Sequence, residues 1–155
     1  KFDPNVESFG AGGVEILEVA LCNTAGDKLS WVVGGEVVSL LIHVLAREKM
    51  NSPIVGFFVK DRLGQTIFGD NTYFKGSLSV EAGEQFVAKF ILRLPLLPVG
   101  DYSISVAVAE GTLADHIQQI WIHDAIVFKS ESSSIVHGLV GIPMLDIQFE
   151  KISNQ

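Results

Sequence analysis

The 155 residues, 48% of them apolar and 19% charged, suffice for one domain with a real core and exclude a disordered chain. A net charge of −7 excludes nucleic acid and an anionic membrane surface as partners, since either requires a basic face. The single cysteine, Cys22, excludes an intrachain disulfide and a cysteine-based zinc site.

Turn signals divide the chain at intervals that suit strands. GAGG at 10–13 opens the first apolar run and NTAGD at 23–27 closes it. Within that run, Cys22 is expected as a small buried residue, because free cysteines favour the interior. After VGGE at 33–36, the segment EVVSLLIHVLAREK at 36–49 also carries apolar residues at helical spacing. The missing cap, the preceding Gly-Gly and the β-branched content assign it to a strand. PIVGFFVKD and TIFGDN form a hairpin around Arg62, Leu63 and Gly64, whose far end carries Asp70, Asn71, Thr72 and Tyr73. QFVAKFILRL alternates cleanly, with Phe86, Ala88, Phe90, Leu92 and Leu94 on one face and Lys89 and Arg93 on the other. In YSISVAVAE, Tyr102, Ile104, Val106 and Val108 oppose a row of small residues, Ser103, Ser105, Ala107 and Ala109. IQQIWIHDAIVF at 117–128 is a further strand, SESSS at 130–134 a connection, and LDIQFEK at 145–151 a last alternating strand. Many short strands between Gly- and Pro-marked turns predict an all-β antiparallel sandwich. No linker or repeat divides it, so 1–155 reads as one domain. No apolar run approaches the ~20 residues of a membrane span. A chain that starts at Lys1 without a signal-type stretch reads as a piece of a longer protein, and an unpaired thiol suits a reducing compartment.

Catalytic patterns are missing from this sequence. It holds no G-x-x-x-x-G-K-[ST], no G-x-S-x-G and no H-E-x-x-H. The four histidines are scattered, and His123 and Asp124, as strand neighbours, would point to opposite faces and share no metal. Carboxylates fall mainly in turns, where solvation accounts for them. The expectation is a non-catalytic domain without cofactor or metal; a hydrolase using His123 or His116 with a carboxylate is the remaining enzymatic reading.

The candidate site comes from the faces of one strand. If Ile120 and Ile122 point to the core, Gln119, Trp121 and His123 share the face that meets water. An aromatic ring between an amide and an imidazole suits a pyranose, which offers a C–H patch to the ring and hydroxyls to polar neighbours. Contact with a second subunit and burial beneath a loop are the other readings of Trp121. Asn71 and Thr72, with Tyr73, match hydroxyl chemistry without a charge to desolvate, or else hold a bend through bonds to backbone. The small-residue row leaves room for a ligand, a partner chain or the other sheet. Trp31 and His137 are weaker candidates. An acidic or phosphorylated ligand would instead seek Arg47, Arg62, Arg93 or a lysine.

Four segments in order carry a family resemblance. IVGFFVKDRLGQTIFGDNT, LPLLPVGDYSISVAVAEG, IWIHDAIVFKSE and HGLVGIP, with the opening VEILEVALCNTAGDKL, resemble the C-terminal domain of Wzt proteins, the nucleotide-binding subunits of ABC transporters that export O-antigen polysaccharide. The resemblance implies an Ig-like or jelly-roll β-sandwich that forms a homodimer by exchanging its C-terminal strand, here 145–152 after a crossover at 138–143. It also implies a carbohydrate-binding module that recognises the terminated non-reducing end of the O-antigen polysaccharide. Such a module is fused to an ATPase domain, works with a membrane transporter subunit and sits in the cytoplasm at the inner membrane. Binding residues vary with the glycan in that family, so the site residues above rest on the face argument alone. A structural or dimerisation domain with no ligand of its own is the alternative function.

Overall fold

A computed structural model describes residues 8–9, 12–76, 78–111, 116–132 and 136–152, with backbone alone at 8–9 and 116–119. In chain order the strands are β1 (Ser8–Phe9), β2 (Val14–Cys22), β3 (Trp31–Val32), β4 (Val37–Ala46) and β5 (Pro53–Asp61). They continue with β6 (Thr66–Asn71), β7 (Gln85–Arg93), β8 (Gly100–Gly111) and β9 (His116–Ser130). A 3-10 turn, Tyr73–Lys75, follows β6. No helix among the described residues is long and apolar enough to cross a membrane.

The strands form two sheets. The larger runs β1-β9-β8-β5-β6 with β3 alongside β9, and the smaller runs β2-β4-β7. Pairing is antiparallel throughout except between β3 and β9, which run parallel. Residues 36–49 are the strand the β-branched content indicated: Val38, Leu40, Ile42, Val44 and Ala46 of β4 are buried and the residues between them are half-buried. β7 alternates as expected and sends Phe86 and Ala88 into the same core. From the larger sheet, Val55, Phe57 and Val59 meet them together with Tyr102, Ile104, Val106 and Val108. Each fully buried Leu, Ile or Val side chain contributes about 1.5–3 kcal/mol relative to exposure, so this layer carries most of the fold's stability.

Two irregularities set which side chains face outward. In β2 the register shifts between Ile16 and Glu18, so the buried set passes from Val14 and Ile16 to Val19 and Leu21. Cys22 ends that strand half-buried, short of the interior position expected for it, because it falls where β2 leaves the core for the 23–27 turn. In β9, Ile126 pairs with Ile104 but Ile122 pairs with Val106, so residues 123–125 all sit opposite Ser105. Asp124 takes a positive φ of 52° there, a conformation Asp tolerates better than most residues. Its backbone N–H donates to the hydroxyl of buried Ser105.

The chain's last stretch joins neither sheet of its own chain. Residues 142–152 form no strand within this chain, and Leu145, Ile147 and Phe149 stand fully or largely exposed. The crossover before it is fixed: Leu96 and Gly141 exchange backbone hydrogen bonds at 2.7 and 2.6 Å. Leu96 also packs so near Gly34 and Gly141 that a Cβ on either would lie 2.8 or 3.0 Å from its side chain. The alternation in 145–151 is real, but a strand needs an edge to pair with, and this segment pairs with none in its own chain.

Candidate functional site

The outward face of the larger sheet is organised around β8. Ser103, Ser105, Ala107 and Ala109 present little more than a hydroxyl or methyl, while β5 and β9 flank them on either side. Phe58 of β5 lies opposite Ser105, and Trp121 of β9 lies opposite Ala107. Their rings reach toward each other across the small residues and stack, with centroids 5.1 Å apart and planes 22° from parallel. The small-residue row therefore makes room for the chain's own aromatic side chains. Gly69 of β6 completes the seat, since a Cβ there would lie 2.3 Å from the Phe57 carbonyl and 3.2 Å from the Phe58 ring.

Trp121 and His123 do share a face. The indole Nε1–H donates to His123 Nδ1 at 3.1 Å, and Lys60 Nζ approaches the same nitrogen at 3.5 Å. Two donors on Nδ1 assign the proton of the neutral ring to Nε2. Lys60 also lies 6.0 Å from the centre of the Trp121 ring, within cation–π reach. Trp121 is half-buried, packed by these neighbours. The side chain of Gln119, the third member of the predicted set, lies outside the described residues, as does that of His116.

The hairpin residues sit nearby but are differently occupied. Trp121, Ala107, Gly56 and Asn71 form one row across four strands, spanning roughly 14 Å at the usual strand spacing. Thr72 Oγ1 accepts from Val55 N at 3.0 Å, Asn71 Oδ1 accepts from Tyr73 N at 2.9 Å, and Asp70 Oδ1 accepts from Asn71 N at 2.8 Å. Side-chain bonds to backbone thus hold this bend. Tyr73 lies beyond β6 in the 3-10 turn and meets Phe74 edge-on.

A cleft of about 710 Å³ opens beside this cluster at the β3 end of the same sheet. Trp31, 54% exposed, and Val127 supply its apolar surface, and Ser103 connects it to the cluster because Lys60 lies opposite Ser103 in β5. Asp61, Asp101, Asp124 and Glu131 line it, against two cations, Arg62 and Lys129. Among the described residues, no ion pair engages any of these six side chains. Asp61 Oδ1 instead accepts from Leu63 N and Gln65 N and shapes the β5–β6 turn. Tyr102 lies at the inner wall with its hydroxyl donated to Pro98 O at 2.8 Å. Burial first, and then the negative charge of Asp61, push its pKa above the ordinary value.

The cleft was not legible in the sequence, because four separated segments build it. The β9 bulge was equally hidden: strict alternation places His123 and Asp124 on opposite faces, yet the three-for-one register lets Asp124 line a cleft next to His123. Among the described residues no group of three or more His, Cys, Asp or Glu gathers in metal-binding geometry. The other arginines are engaged elsewhere: Arg47 pairs with Glu15 and Arg93 donates to Gly35 O.

The sequence profile of the Wzt C-terminal domain matches residues 5–142. The chain belongs to the Wzt C-terminal domain family. Its fold agrees with a crystal structure of the C-terminal domain of Wzt at a TM-score of 0.84, with 22% identity over 97% of this chain and 91% of that one. A β-glucuronidase of glycoside hydrolase family 2 aligns at a TM-score of 0.39 with 11% identity, over 69% of this chain and 11% of that one. The GH3 β-glucosidase of Bifidobacterium adolescentis aligns at 0.40 with 13% identity, over 81% of this chain and 18% of that one. Neither glycosidase likeness carries weight at that level. No curated protein matches the sequence significantly.

Proposed function

We propose that this Wzt-family domain is a non-catalytic carbohydrate-binding module for the terminated non-reducing end of an O-antigen polysaccharide. It serves an ABC transporter at the cytoplasmic side of the inner membrane, where an ATPase domain fused to it and a membrane subunit carry out export. The observation that carries this reading is the outward aromatic and polar strip on the larger sheet, where Phe58, Trp121, His123 and Lys60 cluster over a floor of Ser and Ala. A strip of rings edged by donors and acceptors suits a neutral polymer, and hydroxyl contacts that exchange with water give weak affinity, about 4–7 kcal/mol. Trp121, His123 and Gln119 are proposed as contacts, with Asn71, Thr72 and Tyr73 at the far end of the row. Titration of the isotope-labelled domain with the source organism's O-polysaccharide, against a terminator-deficient polymer, tests it. Shifts in the Trp121–His123 region with the first polymer alone support end recognition; no binding of either polymer removes the reading.

The module acts as a homodimer. Edge strands β6 and β7 border a groove of about 420 Å³ lined by Phe57, Phe68, Phe90 and Leu92. Leu145, Ile147 and Phe149 of a second copy, exposed in their own chain, match that groove as the inward side of an added strand. The same exposed residues favour the second reading, a dimerisation domain with no ligand. In that case glycan binding is absent while dimer formation remains.

A further inference from the structure

The cleft beside Trp31 combines features that the Trp121 cluster lacks. Its indole is more than half exposed, whereas Trp121 is stacked on Phe58 and hydrogen-bonded to His123. Its volume of about 710 Å³ falls in the range of small-molecule pockets, about 300–1,000 Å³. Val127, 70% exposed, extends the apolar surface beside the ring. Around that surface the charged groups face the cleft without ion-pair partners among the described residues, and of the four carboxylates Asp61 alone is shown holding a turn, through its Oδ1.

We infer that the Trp31 cleft is a sugar subsite that takes a non-anionic pyranose and refuses a uronate or a phosphorylated residue. The inference rests on the glycan-binding reading and adds its substrate class. A pyranose laid on Trp31 directs its ring hydroxyls at carboxylates, which accept hydrogen bonds and cannot donate them. Neutral hydroxyls and an amino-sugar ammonium both satisfy such acceptors, the ammonium with charge assistance. A carboxylate or phosphate on the sugar meets four acidic side chains against two basic ones, so the net field of the cleft opposes it. The sign of this field also shows at Tyr102, whose pKa is raised first by burial and then by the charge of Asp61.

The test uses the 155-residue chain, isotope-labelled, with four monosaccharide probes: methyl α-mannoside, glucosamine, glucuronic acid and mannose 6-phosphate. Methyl α-mannoside or glucosamine at tens of millimolar is expected to shift the Trp31 indole N–H and the amides of Ser103, Asp124 and Lys129. The two anionic probes are expected to leave them in place. Trp31→Ala should weaken the shift at least tenfold in apparent affinity. Asp101→Asn with Asp124→Asn removes two of the acids and should admit glucuronic acid at least tenfold better. Preference for an anionic probe, no shift with any probe, or shifts insensitive to Trp31→Ala overturns the inference. Titration of Trp31→Ala with the O-polysaccharide separates the two claims. Unimpaired polymer binding defeats the subsite and leaves the module function standing, whereas a wild-type chain that binds no polymer defeats the function itself.

Discussion

Among the neighbours that hold Trp121, His123 and Phe58 differ in what their removal costs. His123→Ala leaves the indole N–H without its acceptor and is expected to cost about 1 kcal/mol in urea unfolding. Phe58→Ala removes a half-buried stacked ring and is expected to cost about 1–2 kcal/mol, with a red shift of tryptophan emission as Trp121 becomes wetter. Tyr102 gives a pH dependence with a definite sign. Its pKa is raised in the folded state, so the folded protein keeps the proton longer than the unfolded chain does. The stabilisation is complete below the ordinary value of 10.0 and is lost as pH rises through the folded value. In Tyr73→Phe, where Tyr102 is the sole tyrosine, tyrosinate absorbance should appear above pH 10.0, and Tyr102→Phe should flatten this part of the alkaline loss of stability.

At the scale of elements, the close contacts in the larger sheet predict where small changes are costly. Gly69→Ala drives a methyl against the Phe57 carbonyl and the Phe58 ring, and is expected to cost about 1–3 kcal/mol and to disturb the Phe58–Trp121 stack. Ser105→Ala strands the Asp124 N–H in the bulge, at a cost of about 1–3 kcal/mol by denaturant titration. How far the sequence disclosed these elements depends on how local their causes are. β4 and β7 were legible because their two faces differ in every second residue. The pairing of Trp121 with His123 was legible because the alternation around inward Ile122 holds as far as His123, the first residue of the bulge. Past Asp124 the alternation restarts, and no residue type marks the shift in advance. Asn71 and Thr72 admitted two readings, and their bonds to the backbone N–H of Tyr73 and Val55 show that they hold the bend, whether or not they also meet a ligand. Trp31 carried too little local signal, since a two-residue strand has no period to read and its cleft partners lie as far along the chain as Asp101 and Glu131.

For the whole molecule, the unpaired C-terminal segment sets the main expectation. Removal of residues 144–155 should convert the proposed dimer to a monomer in light scattering, while the core of β2, β4, β7 and the larger sheet stays folded. The intact chain should melt at a temperature that rises with its concentration, as any obligate partner contact requires. The single substitution Phe149→Asp, at a residue fully exposed in one chain, should weaken association without lowering the stability of the monomer.

The outward face of β8 also bears on how such a domain changes over time. Between Ser103 and Ala109 the strand that joins the two halves of the larger sheet shows nothing larger than Ser or Ala outside, so this stretch holds the layers together but leaves most of the surface to its neighbours. The side chains that give the surface its character come from β3, β5, β9 and the β5–β6 turn, where replacements leave the inner layer alone. Under the proposed function, holding and reading therefore fall to different strands, and the target can change while the architecture is kept.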